Sequence, residues 1–226
     1  GKPVFDDIFM RLPVSIKVAF LGMLLATVMG LPLGVLSAVK QYSPADSFLR
    51  VASTVLVAMP TFWLAMLLIL VFALYLGWLP AGGALTWQSY ILPTITVGVP
   101  YGSKVLRMTR STMLEEIRQD YVRTARSKGV PEKKVIYGHA LKNALLPVIT
   151  TIGSAFGAIL GGSVIAESVF NLPGLGSLIV LSIKAKDTPS VLASVLLLAV
   201  FFALIMLIVD LVYAFIDPRI KAKYAK

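Results

Sequence analysis

Apolar positions in this chain fall in long uncharged blocks separated by short charged ones. Val18–Val39 is an uncharged run of 22 residues, Val51–Ser103 one of 53, Asn143–Ala166 one of 24 and Thr188–Val209 one of 22. A helix needs roughly 20 mostly apolar residues to cross the hydrocarbon core of a bilayer. The run of 53 is too long for one crossing, and it breaks at the turn-forming cluster Gly77-Trp78-Leu79-Pro80-Ala81-Gly82-Gly83. The pattern therefore predicts five membrane-crossing helices, at about 15–39, 51–76, 90–111, 145–167 and 190–216. The last of these carries on past Asp210. The fold class is an all-α polytopic helical bundle, one transmembrane domain over residues 1–226.

Composition agrees with this pattern. The chain is 58% hydrophobic and only 14% charged, with a mean hydropathy of +0.86. A soluble domain carries about 25% charged residues. The net charge of +10 would suggest nucleic acid on a soluble protein, but its placement follows topology instead. Lys and Arg gather in cytoplasmic loops. The 40–50 loop, the 104–142 stretch and the tail from Arg219 share one side of the predicted bundle and hold 16 of the 21 basic residues. That side is read as cytoplasmic, with the C-terminus on it and the N-terminus outside. No motif-bearing basic module points to nucleic acid.

Small residues recur at spacings that let helices approach closely in lipid. Gly30 and Gly34 are four apart, as are Gly98 and Gly102, and Gly153, Gly157 and Gly161 line one face of the fourth predicted span. That face is expected either to pack within the bundle or to line a pore or meet a second subunit. Pro32, Pro60, Pro93, Pro100 and Pro147 fall within or near span ends, where each can kink a helix. Acids at membrane depth are candidates for function. Glu167, at the outer end of the fourth span, is either a carboxylate partnered within the outer loop or an outer gate. Asp210 suggests a partner such as Arg107 or Arg110, and Lys104, Arg107 and Arg110 are expected to snorkel to the interface. His139 is the only histidine and there is no cysteine. That makes a poor transition-metal site, so no metal is expected. Trp63, Trp78 and Trp87 suit interfacial or packing positions.

The segment from about 113 to 144 is too polar to span. Leu114, Ile117, Tyr121, Val122 and Ala125 repeat at helical spacing, Gly129 is placed to end that helix, and Pro131 to open another with Val135, Ile136 and Leu141 on its apolar side. The expectation is a helix–glycine–helix elbow under the membrane, with an apolar ridge suited to a partner's cleft.

The residues here carry a resemblance. Arg123-Thr124-Ala125 followed three residues later by Gly129 resembles the cytoplasmic signature of ATP-binding-cassette (ABC) importer permeases, Glu-Ala-Ala-x-x-x-Gly. Arg123-Thr124 stands in place of Glu-Ala, and His139 and Leu141-Lys142 depart from the generic Ile-x-Leu-Pro that follows. These departures match the peptide/nickel branch, the dipeptide and oligopeptide B-type permeases. Asp120 to Gly129 and His139 to Pro147 are similar to that branch, as are Met59-Pro60-Thr61-Phe62-Trp63, Glu167 through Gly176 and the closing Asp217-Pro218-Arg219. The similarity covers essentially the whole chain.

The resemblance implies a type I importer permease fold in a prokaryotic cytoplasmic membrane, forming half of a translocation pore for dipeptides or oligopeptides. Asp120, Tyr121, Arg123, Thr124, Ala125, Lys128, Gly129, His139 and Asn143 would form a coupling loop for ATPase subunits. The implied partners are two ATPase subunits, a second homologous permease, an extracytoplasmic peptide-binding protein and membrane lipid. The chain lacks a Gly-x-x-x-x-Gly-Lys-Ser/Thr phosphate loop. No catalytic residue and no bound cofactor are therefore expected, with ATP and magnesium on the partner subunits. Nickel chelates, glutathione-like compounds and opines are the alternative substrates. A secondary transporter or channel would favour ionisable groups at the span centres, which are nearly free of them, and a scaffold would have no need of the elbow. Relatives in the family have six spans, so a first span is expected to be absent before Gly1.

Overall fold

The computed structural model describes residues 4–216, except for the side chains at 210 and 212–216. Asp217-Pro218-Arg219 and the basic tail lie outside the described residues, as does the side chain of Asp210.

Helix α1, Val4–Val39, begins well before the predicted start near 15 and runs unbroken through Pro13 and Pro32. After a turn, α2 spans Pro44–Ala58. Helix α3, Thr61–Leu68, continues as a π-helical segment over Ile69–Tyr75. The single span expected at 51–76 is therefore two helices, bent by 104°. Pro60 is the cause. It has no N–H to donate and it drives the preceding residue out of the helical region. Met59 and Pro60 accordingly sit at ψ 129° and 133°. Pro93 falls in the first turn of α4, where its missing donor costs little. Pro100 and Pro147 lie inside continuous helices, so Pro60 alone of the flagged prolines marks a sharp break.

Helix α4, Ile91–Ile117, overruns the predicted end at 111. A short α5, Asp120–Ser127, follows. One turn of α6, Glu132–Lys134, leads through a π-helical turn at Val135–Ala140 into α7, Leu141–Val169. The second arm of the elbow is thus the start of a 38-residue helix that runs on through the predicted span. Helix α8, Leu175–Lys184, had not been expected in the outer connection. Its spacing did carry a signal, since Leu175, Leu178, Ile179 and Ser182 are all buried. Helix α9 covers Thr188–Ile216.

Among the described residues, α1, α7 with its α6 extension, and α9 are each long and apolar enough to cross a membrane, and the bent α2–α3 pair adds a fourth candidate. Helix α4 is long enough, at about 40 Å for 27 residues, but it carries Lys104, Arg107 and Arg110. It sits at the centre of the bundle, packed on α1, α7 and α2. Neighbouring helices rather than lipid therefore cover much of its surface.

Glycines make the α1–α4 contact. A methyl group on Gly30 would lie 2.5 Å from the Gly102 carbonyl oxygen, and one on Gly98 would lie 2.8 Å from that of Gly22. The two backbones touch directly, which is how helices gain dispersion energy where the hydrophobic effect offers none. The face expected on α7 divides. Gly153 and Gly157 are filled by Val209 and Phe202 of α9, whereas Gly161 faces open space. Val18, Ala19, Val97, Ile159 and Phe170 pack where α1, α4 and α7 meet. Among the described residues of α9, most of the apolar surface is exposed.

Candidate functional site

The elbow is built by chain-end chemistry. Helix α4 stops at Ile117, and Gln119 adopts an extended backbone that starts α5. Asp120 lies in the first turn, where a negative charge suits the helix dipole. At the far end the Val130 amide donates to the Ala125 carbonyl at 3.2 Å and the Gly129 amide to that of Arg126 at 2.9 Å. This pair of bonds needs a left-handed residue between them, and Gly129 supplies it at φ 76°. Across the turn, the Arg126 guanidinium donates to Glu132 at 2.7 and 3.1 Å.

The apolar ridge of the elbow does not face a partner. Val122, Ala125, Val135 and Ile136 are buried against Val35 and Ala38 of α1 and Met113 of α4, with Leu114, Ile117 and Leu141 at the edge. An apolar stripe in water must be covered, and the chain's own helix ends cover it. The outer surface is polar. Asp120, Tyr121, Arg123, Thr124, Lys128, Gly129 and Asn143 are exposed, while Ala125 is buried and His139 is half-buried. The predicted loop residues therefore share one region, with Ala125 holding it to the core. Tyr121 donates to Glu116 at 2.5 Å. Partial desolvation, with the Glu116 carboxylate beside it, pushes the Tyr121 phenol above its usual range, against a smaller opposing effect of Asn143.

Above the elbow is an ion pair that sequence reasoning missed. Ser43 caps α2 by accepting from the Asp46 amide at 3.2 Å. The fully buried Asp46 carboxylate accepts from Ser37 Oγ at 2.5 Å, the Tyr42 amide at 3.0 Å, and Arg110 Nε and Nη2 at 2.7 and 2.9 Å. It thereby ties α1, the turn after it, α2 and α4 together. The Arg110 guanidinium holds the Asp46 carboxyl well below the usual carboxylate range; burial opposes this, and Ser37 and Tyr42 add to it. Arg110, expected to snorkel, is instead committed to Asp46; the suggested pairing of Asp210 with Arg107 or Arg110 falls on a side chain outside the described residues. The one available signal was that Asp46 is the only acid in a basic loop.

At the outer end Glu167 is fully buried. It accepts from Ser163 Oγ at 3.1 Å and from the Gly176 and Ser177 amides at 2.7 and 3.3 Å. Its carboxylate caps the N-terminus of α8, where a negative charge is favoured. Ser15 of α1 accepts from the Leu175 amide at 2.8 Å. A side chain on Gly174 would strike the Glu167 carboxylate, and one on Gly176 would strike the backbone of Val164. The Glu167–Gly176 motif is thus a clasp joining α7, α8 and α1, and the carboxylate presents no free surface to a pore.

The chain matches the family described as "Binding-protein-dependent transport system inner membrane component" over residues 30–222. It is 41% identical over 222 residues to the glutathione transport system permease protein GsiC of Escherichia coli, spanning 98% of this chain and 72% of that protein. The GsiC protein of Salmonella paratyphi A is similar to the same extent. Among solved structures, a chain of the MetNI methionine ABC transporter in an inward-facing conformation superposes with a TM-score of 0.79 at 17% identity, covering 96% of this chain and 99% of that one. An amino acid ABC transporter crystallised with histidines gives 0.68 at 16% identity, covering 95% and 94%. At such identities the structures establish the fold, the type I importer permease. The family match over most of the chain, the close relatives and the shared fold agree: the chain belongs to the binding-protein-dependent transport system inner membrane components and is the permease component of an ABC importer.

Proposed function

We propose that this permease forms half of a pore for short peptides of the glutathione class, handed over by an extracytoplasmic binding protein. Two ATPase subunits drive it by docking on the elbow from about 113 to 144, and a second homologous permease completes the pore. The C-terminus lies on the cytoplasmic side with the elbow. The chain itself hydrolyses nothing and binds no cofactor, ATP and magnesium being held by the ATPase subunits.

The observation that carries this reading is the form of the elbow. Its polar outer face sits on a short helix whose apolar side is locked into the ends of α1 and α4. A push on that face is passed to the spanning helices rather than absorbed by a loose loop. The absence of a phosphate-loop motif supports energy supplied from outside the chain. The 41% identity to a glutathione permease supports a short peptide, since glutathione is a tripeptide with one γ-linkage.

The test is co-purification of the full-length protein with its ATPase subunits, using the native elbow and a version with Asp120–His139 replaced by a Gly/Ser linker. ATPases retained only by the native elbow uphold the coupling. Equal retention by both versions overturns it. Radiolabelled glutathione and dipeptide uptake by vesicles containing the complete importer then tests the substrate class, and failure of both to enter would remove it.

A further inference from the structure

Three arginines meet where α2 and α4 leave the apolar zone. Arg50 directly precedes the uncharged run that starts at Val51, and Arg107 and Arg110 follow the end of that run at Ser103. Arg107 and Arg110 lie three apart on one face of α4. Together with Ser53, Thr54 and Ser111 they line a polar cleft of about 420 Å³.

The charges in this cleft do not balance. Arg110 is fully engaged by Asp46. Arg50 comes no nearer than 3.9 Å to that same carboxylate, and its side chain is half exposed. Among the described residues, no carboxylate lies within 4 Å of Arg107. Among the described residues, one carboxylate thus serves this cleft: it is taken up by Arg110, Arg50 reaches only its edge, and Arg107 lies beyond it, so positive charge is in excess.

The cleft opens onto an apolar recess. Arg50 and Thr54 form the wall common to both, and Val51 and Val55 line the recess, which measures about 250 Å³. Both valines are exposed. A cationic cleft beside an exposed apolar strip of α2 at the membrane boundary suits an amphiphile with an anionic head. A guanidinium pair suits a phosphate, which it can hold through two parallel hydrogen bonds. Basic pockets between spanning helices on the cytoplasmic side are suited to anionic lipid headgroups.

We infer that the α2–α4 cleft is a binding site for an anionic phospholipid, with Arg50 and Arg107 on its phosphate and Val51 and Val55 along the first part of an acyl chain. Asp46 positions Arg110 behind the headgroup and prevents it from saturating the site. The bound lipid bridges the α2 arm of the bent α2–α3 pair to α4, so it steadies the joint that Pro60 creates. The inference rests on the cytoplasmic orientation proposed above, and lipid retention is read separately from transport, so the two can fail independently.

The intact importer is purified in mild detergent after loading with phosphatidylglycerol and phosphatidylcholine, and retained lipid is counted by native mass spectrometry. Wild type is expected to keep phosphatidylglycerol through washes that strip phosphatidylcholine. The double variant Arg50→Gln/Arg107→Gln is expected to lose it roughly tenfold more readily, the size expected of two exposed charge contacts. Lys104→Gln, outside the cleft, is expected to match wild type. Val55→Asp tests the trough with the arginines intact and serves if the double variant does not assemble; it too should shed the lipid. Equal retention by all variants overturns the site. Displacement of the lipid by millimolar inorganic phosphate alone assigns the cleft to a soluble anion, and displacement by glutathione assigns it to the transported peptide; either result overturns the lipid assignment.

Discussion

Replacing Asp46 by Ala should destabilise the permease more than any other single change at its cytoplasmic end. The carboxylate is fully buried and accepts four hydrogen bonds, two of them from Arg110. Deleting one partner of a buried pair costs about 3–5 kcal/mol, because the remaining charge is stranded. The Arg110 side chain keeps 17% exposure, so some water can reach it and the lower end, about 3 kcal/mol, is appropriate. For a chain of this size that corresponds to a fall in Tm of roughly 6–12 °C. The assay is thermal unfolding in nanodiscs, read by intrinsic tryptophan fluorescence, for Asp46→Ala, Arg110→Ala and the double variant. The double variant should be less damaged than the sum of the singles, since it leaves no stranded charge. The pH dependence has a defined sign. The folded carboxyl titrates below its ordinary value of 3.8, so its contribution is present above that value and is lost only as pH falls below it. From about pH 5 upward the Asp46 contribution should be constant. An Asp46→Ala midpoint within about 2 °C of wild type, or strict additivity in the double variant, would refute the reasoning.

Three further outcomes follow from the other contacts. Glu167→Ala removes the cap of α8 and should cost about 1–3 kcal/mol, seen as faster proteolysis near Asn171; Glu167→Gln, which keeps an acceptor oxygen, should cost less and change uptake only modestly, and an Ala variant as resistant as wild type would argue against the clasp. Gly30→Leu should abolish correct assembly on size-exclusion chromatography because α1 touches the Gly102 backbone, whereas Gly161→Ala, facing open space, should be neutral or stabilise by up to about 1 kcal/mol. Gly129→Val forces a branched side chain to φ 76°, at about 1–2 kcal/mol, and should weaken ATPase co-purification without impairing membrane insertion; undiminished ATPase retention would remove the turn from the coupling.

The features legible in the sequence were those carried by local composition. Uncharged runs marked the apolar helices because bilayer thickness sets a length that can be counted. Gly129 could be read as a helix stop because glycine enters the left-handed region that closes a helix without strain, although Asn171 and Lys186 take the same region after α7 and α8. The Asp120–Gly129 and Glu167–Gly176 motifs identified the family, since each is a compact backbone device.

Tertiary structure decided how these pieces face one another. Helical periodicity predicted the ridge Val122–Ala125–Val135–Ile136, but it cannot distinguish a ridge offered to a partner from one buried against the ends of α1 and α4. Pro60 was visible as a possible kink, but so were Pro32, Pro100 and Pro147, which continuous helices absorb, and only the folded chain shows that Pro60 turns one expected span into two helices at 104°. Gly153 and Gly161 look alike in sequence, and only the path of α9 fills one and leaves the other open. The pairing of Asp46 with Arg110 spans 64 residues. Charge pairing depends on distance in space, and nothing in the order of residues records which of several arginines the folded chain brings to a given carboxylate.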